Sequence, residues 1–122
     1  KIGSEGGAFA IEHLPKMMND KDSDVRREVA KRIGSVGGAF AREYLPKMMN
    51  DEDFIVRLEV ARRIGVEHLP KMMNDKDYII RWEVARRIGV EHLPKMMNDE
   101  DSYVRREVAR RMKELRKMGE LK

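Results

Sequence analysis

The stretch VARRIGVEHLPKMMND at Val60–Asp75 returns without change at Val84–Asp99. Its second half also stands at Glu12–Asp20 as EHLPKMMND, and at Glu43–Asp51 as EYLPKMMND. A reaction centre needs unlike groups at unlike positions, and needs them once. A building block is needed many times, and self-similarity at a fixed period is the signature of a repeat architecture. Leu14-Pro15, Leu45-Pro46, Leu69-Pro70 and Leu93-Pro94 mark the period, at spacings of 31, 24 and 24 residues. The units fall at about 2–32, 33–63, 64–87 and 88–122. The longer units carry SEGGAFA (Ser4–Ala10) and SVGGAFA (Ser35–Ala41), which the shorter ones lack. Seven residues are close to two helical turns, so an apolar face keeps its direction when they are omitted.

Each unit holds two helical patterns. The clearer one reads DSDVRREVAKRIG, DFIVRLEVARRIG, DYIIRWEVARRIG and DSYVRREVARRM. Its apolar residues recur at i, i+4 and i+8: Val25, Val29, Ile33; Val56, Val60, Ile64; Ile80, Val84, Ile88; Val104, Val108, Met112. That is one helical stripe per unit. Asp22, Asp53, Asp77 and Asp101 stand where N-caps belong. Gly34, Gly65 and Gly89 fit the left-handed position that ends a helix. The pattern around LPKMM is shorter, with Pro suited to a first turn and a 3₁₀ component expected. The paired methionines (Met17, Met18; Met48, Met49; Met72, Met73; Met96, Met97) read as adaptable core filling. No stretch reads as a strand. One unit cannot bury its own stripe but stacked units can, which predicts an all-α fold. The expected architecture is a right-handed α-solenoid of stacked helix pairs, with 31-residue units followed by 24-residue units.

The longer units, as in AREYLPKMMNDEDFIVRLEVARRIG, resemble HEAT-like repeats of the short kind found in phycobilin lyases. The 24-residue units resemble leucine-rich repeat variants, and that resemblance implies an α-helix alternating with a short 3₁₀-like one. It covers nearly all of the chain, and it implies protein–protein scaffolding more than any reaction. It departs from some members. Leucine-rich repeat variants can come with a Cys-ligated iron–sulfur segment, and this chain has no Cys. HEAT-like hydroxylases place His-Glu metal pairs on the second helix, where this chain reads RRE, RLE, RWE and RRE. Arg26, Arg57, Arg81 and Arg105 follow Asp22, Asp53, Asp77 and Asp101 by four positions, a spacing that pairs charges along a helix. Resemblance to HEAT-like arrays implies a ladder of these residues tying neighbouring units together.

Composition narrows the rest. The absence of Cys excludes disulfides, Cys-ligated zinc and iron–sulfur clusters, and it reads as cytoplasmic. No apolar run approaches the roughly 18 residues of a membrane span. Charged residues make up 39% with both signs interleaved, the pattern of solvated helix faces and one shared with thermophile proteins. Net charge is +4, yet Arg105–Lys122 alone holds eight basic and three acidic residues. The basic character is therefore a C-terminal feature, and this segment reads as an amphipathic capping helix.

No cofactor or metal site is expected. His13, His68 and His92 hold one repeat position, and equivalent positions in a repeat array are spread roughly 10 Å apart by helix-packing distance. NDKDSD at Asn19–Asp24 lacks the turn glycine and distal glutamate of a calcium loop. Gly37-Gly38 lacks the context of a phosphate loop. Ser4, Ser23, Ser35 and Ser102 have no base beside them. The chain reads as a non-enzyme.

The copies differ in one place. After the D-x-D turn come Ser23-Asp24, Phe54-Ile55, Tyr78-Ile79 and Ser102-Tyr103; two positions past the first stripe residue come Arg27, Leu58, Trp82 and Arg106. On a wheel with Val56 at zero, Leu58 lies near about 200°, Arg62 near about 240°, Ile55 near about 260° and Phe54 near about 160°. The central units therefore point apolar groups away from their own core. The expected feature is a ridge of Phe54, Ile55, Leu58, Tyr78, Ile79, Trp82 and Tyr103, rimmed by Arg27, Lys31, Arg62, Arg86, Arg106 and Arg110. Exposed apolar surface rimmed by charge marks binding sites, and Trp, Tyr and Arg are common hot-spot residues. Expected partners are a protein or peptide, then a second copy of the chain, then nucleic acid on the basic C-terminal helix; no membrane is implied. Ile2-Gly3 matches Ile33-Gly34, the end of a unit's second helix, so the sequence reads as a fragment of a longer array.

Overall fold

The D-x-D turn that opens each unit's second pattern sets where the long helices start. The computed structural model describes residues 11–119. Residues 11–17 are helical. The α-helices that follow are α1 (Ser23–Val36), α2 (Gly38–Tyr44), α3 (Phe54–Arg63), α4 (Tyr78–Arg87) and α5 (Ser102–Lys117). Leu45–Met48, Val66–Met72 and Val90–Met96 are 3₁₀ segments. No strand occurs among the described residues, and the fold is an all-α repeat fold. The short units alternate an α-helix with a 3₁₀ segment, as the resemblance to leucine-rich repeat variants implied. Each 3₁₀ segment holds a proline, Pro46, Pro70 or Pro94, which lacks the N–H that an interior α-helical position must donate. The tighter turn is closed instead by Met49, Met73 and Met97 N–H donating to the carbonyls of Pro46, Pro70 and Pro94.

The chain forms two compact units, Lys1–Gly65 and Val66–Lys122. In the first, α1 packs against α3, with α2 and Leu45–Met48 alongside. In the second, α4 packs against α5, with the two 3₁₀ segments at their ends. The predicted stripes supply both cores. Val29, Ile33, Val56, Val60 and Ile64 are buried in the first unit; Ile80, Val84, Ile88, Val104 and Val108 are buried in the second. Two stripe members sit less deeply, since Val25 and Met112 are half-buried. Leu45, Leu69 and Leu93 close the cores from the 3₁₀ segments.

The methionine pairs are split. Met48, Met72 and Met96 are buried, but Met49 and Met73 are half-buried and Met97 is 48% exposed. In the first copy Met17 is exposed and Met18 half-buried. Adjacent residues on a single turn cannot both face the core, so at most one of each pair is core filling.

The expected left-handed helix ends at Gly34, Gly65 and Gly89 do not occur. Positive φ is found at Gly37, Gly38 and Gly119. Helices α3 and α4 end instead by stepping straight into extended backbone at Ile64 (φ −68°, ψ 152°) and Ile88 (φ −62°, ψ 151°). Both isoleucines are core residues, so the chain turns on an anchored side chain and needs no left-handed residue. Gly34 lies inside α1, where a Cβ would stand 2.5 Å from Arg63 Cδ and 3.0 Å from Arg63 Cβ. Its role is close approach between packed helices. The SVGGAFA insertion carries α1 on to Val36, breaks at Gly37 (φ 72°, ψ −165°) and adds α2. Helix α5 stops at Lys117, with Gly119 in the left-handed region just after. It is thus shorter than the capping segment expected through Lys122, whose last three residues lie outside the described range. So do SEGGAFA and the Ile2-Gly3 match.

The aspartates divide their labour differently from the expected i, i+4 ladder. Asp22, Asp53, Asp77 and Asp101 occupy the N-cap positions. Asp53 Oδ1 accepts from the N–H groups of Ile55 and Val56, and Asp101 Oδ1 from those of Tyr103 and Val104. The arginines turn to another carboxylate, the Asp that ends the LPKMMND block of the following repeat. Arg26 Nε donates to Asp51 Oδ2 at 2.8 Å and Nη2 to Oδ1 at 3.1 Å. Arg81 grips Asp99 in the same fork, at 2.9 and 3.2 Å. Each guanidinium also donates to a backbone carbonyl, Asp20 O for Arg26 and Asp75 O for Arg81. Hydrogen bonding to the carboxylate holds both arginines above their ordinary pKa despite burial. Arg57 donates to Asp51 O, and Arg105 to Asp99 O. Asp51 and Asp99 further accept the N–H of Asp53 and Asp101. One carboxylate therefore closes the turn, orients the next cap and pairs the preceding repeat's arginine.

Candidate binding surface

In the first unit, Asp53 fixes the start of α3, and burial of Val56, Val60 and Ile64 fixes its rotation. Phe54 and Ile55 are then exposed, Leu58 is half-buried, and Arg62 is exposed with its guanidinium 3.5 Å from Glu59. On α1, Arg27 and Lys31 are exposed at matching places.

The second unit gathers more. Tyr78 and Tyr103 stand in the first turns of α4 and α5, and their rings stack at 6.1 Å between centroids with 28° between planes. Tyr78, Ile79, Trp82 and Tyr103 line a groove of about 250 Å³. Ile79 and Trp82 are half-buried rather than fully outward, because they form its floor and wall. Tyr103 is 56% exposed at the rim. Arg86 lies over the Trp82 ring at 5.2 Å, and Glu83 holds it at 3.2 and 3.3 Å. Glu83 is itself buried, so Arg86 is its charge partner as well as the indole's cover. Arg106 lies over the Tyr103 ring at 5.5 Å. Arg110 pairs with Glu107, whose hydrogen bond raises the Arg110 pKa. Of the rim residues in this unit, then, Arg86 and Arg110 are neutralised by their own helix, while Arg106 has only a ring beneath it.

Lys113 and Lys117 continue the exposed face of α5 beyond Arg110. The spacing 106, 110, 113, 117 is one helical row, and that signal stands in the sequence without having singled the lysines out. Arg111, also unremarked, donates to Ala85 O at 2.9 Å and Ile88 O at 2.6 Å and so closes the end of α4. Burial pushes its pKa down, as it does that of Arg87.

A polar cleft of about 430 Å³ surrounds Asn74, Asp75, Lys76, Arg81, Asp99 and Glu100. Its carboxylates serve the turns and the Arg81 pair. No group of three or more His, Cys, Asp or Glu able to hold a metal occurs among the described residues. His13, His68 and His92 each lie 3.6–3.7 Å from the preceding glutamate. No helix among the described residues is long and apolar enough to cross a membrane.

No protein-family model matches the sequence, and no curated protein matches it. Among solved structures, one described as a leucine-rich repeat variant with a novel repetitive structural motif is similar at a TM-score of 0.72 and 41% identity. This chain is a repeat protein of the leucine-rich repeat variant type. The match covers 81% of this chain and 40% of that protein. In this leucine-rich repeat variant array, the residues that recur build turns, caps and cores. The aromatic groove is built at positions where the copies differ.

Proposed function

We propose that the chain is a non-enzymatic scaffold that docks a protein or peptide segment. Repeat folds of this kind serve as scaffolds because stacked units present extended surface. The observation that carries the reading is the open aromatic groove of Tyr78, Ile79, Trp82 and Tyr103. Its volume lies below the roughly 300–1,000 Å³ of sites that enclose a drug-sized ligand. It suits one large side chain of a partner, with Trp82 and Tyr78 as anchors. Phe54, Ile55, Leu58 and Arg62 hold the matching register of α3 and offer a second, shallower contact.

Trp82 is the only Trp, so its emission reports the groove. A dilution series comes first: emission that stays constant on dilution fits a groove open to a foreign segment. Emission that moves red on dilution means that a second copy fills the groove, and the docking reading fails. Peptides carrying a single Leu or Phe in a polar background are then titrated. They are expected to shift Trp82 emission blue, and Tyr78→Ala with Leu58→Ala should weaken binding without changing helicity.

A further inference from the structure

Helix α5 has two opposite faces. With Arg106 at zero on the wheel, Arg110, Lys113 and Lys117 fall within about 40° of it, while Val104, Val108 and Leu115 fall near about 180°. Val104 and Val108 are buried and Leu115 is half-buried, whereas all four basic residues are exposed. The basic row starts beside Tyr103 at the groove and runs about 16 Å towards the end of the helix. Glu107 is taken up by Arg110. Glu114 stands at the flank, near about 80°. From α4, Glu83 is taken up by Arg86. Among the described residues no carboxylate pairs with Arg106, Lys113 or Lys117.

We propose that this face selects acidic partners: a peptide segment seats one large apolar side chain in the groove and lays carboxylates along Arg106, Lys113 and Lys117. The proposal rests on the docking reading above and adds the chemistry and direction of the segment, anchor at the start of α5 and acidic stretch towards its end. Charge complementarity argues for the occupant, since three uncommitted cations in one row meet negative charge at spaced points. Single-stranded nucleic acid fits less well. Bases need open ring faces, but Arg86 lies over the Trp82 ring and Arg106 over the Tyr103 ring.

The test uses the whole chain and Trp82 emission at low and high salt. The probes are a short synthetic peptide with one leucine followed by spaced glutamates, its analogue with glutamines, and an oligothymidylate. The acidic peptide should bind on the order of tenfold tighter than the glutamine analogue at low salt, and the preference should fade with salt. Lys113→Glu with Lys117→Glu should erase the preference and lower the melting temperature by only a few degrees, roughly what two exposed charges reversed near a helix C-terminus cost. Equal affinity for the two peptides, or a preference untouched by the double reversal, overturns acid selection and leaves docking in the groove standing. No response to either peptide overturns both readings. Oligothymidylate binding that the reversal abolishes, without peptide binding, assigns the face to nucleic acid instead.

Discussion

Replacing Asp99 by alanine removes three interactions at once. Arg81 loses its two-pronged acceptor, and the Asp101 N–H loses its partner. Arg81 and Asp99 side chains are 9% and 10% exposed at the lining of the polar cleft, so water replaces the lost carboxylate only in part. Breaking a buried pair by removing one partner costs about 3–5 kcal/mol. Arg81 keeps its bond to Asp75 O, and Glu100 stays within 3.8 Å, which places the expected loss at the lower end, about 3 kcal/mol. For a chain of this size that is a fall of about 10 °C in melting temperature. Urea unfolding followed by Trp82 emission measures it, because Trp82 adjoins Arg81. Asp99→Asn keeps one oxygen for the Asp101 N–H and should cost about half as much. Asp99→Leu with Arg81→Met removes both charges and should recover most of the loss. The reference is Glu28→Ala, which breaks the exposed Arg32–Glu28 pair and should cost under about 0.5 kcal/mol. An Asp99→Ala cost no larger than that reference would refute the claim that this carboxylate ties one repeat to the next.

Other consequences are sharper in sign than in size. Gly34→Ala should destabilise by about 1 kcal/mol against the Arg63 side chain and cost less in an Arg63→Ala background, which removes the Cδ contact at 2.5 Å and keeps the Cβ contact at 3.0 Å; thermal melts of the four proteins read the coupling. Met96→Ala should cost about 2–4 kcal/mol and Met97→Ala under about 0.5 kcal/mol in urea unfolding, although the two residues are neighbours in a repeated block. Arg111→Ala should cost about 1–3 kcal/mol by leaving the carbonyls of Ala85 and Ile88 without their donor. Hydrogen exchange at the end of α4 should quicken with it. Gly37→Ala should cost about 1–3 kcal/mol, since φ 72° with ψ −165° is a region almost reserved for glycine.

The period and the i, i+4, i+8 stripes made the helices and most of the core legible in the sequence, because burial of one face is a local, periodic demand. The caps were legible for the same reason. The glycines were misread because a glycine can serve either a left-handed turn or a close approach. Only the position of Arg63 over Gly34 decides between them. The ladder was read with the right arginines and the wrong acceptor. Arg26 lies four residues from Asp22 and twenty-five from Asp51, and sequence spacing favours the nearer carboxylate. The structure gives the nearer one to the cap and the farther one to the arginine. The methionine pairs failed for a geometric reason, since adjacency in sequence hides which of two neighbours faces inward.

The candidate surface has the opposite character. Caps, turns and stripes are fixed by what the fold requires, so they repeat, and repetition is what made them readable. The fold requires nothing of positions 78, 79, 82 and 103, and there the copies are free to differ. In the first repeat Ser23 and Asp24 stand where Tyr78 and Ile79 stand in the third, and Arg27 where Trp82 stands. The repeat frame does not require aromatic residues at places that a polar residue fills elsewhere in it. The exposed Tyr103 and the half-buried Trp82 leave apolar area in water that the frame has already shown it can do without. On the docking reading proposed above, a partner segment covers them. That argument gains force from the pairing of the charges beside them. Arg86 and Arg110 are spent on Glu83 and Glu107, while Arg106, Lys113 and Lys117 are left facing solvent in a row that begins at the groove.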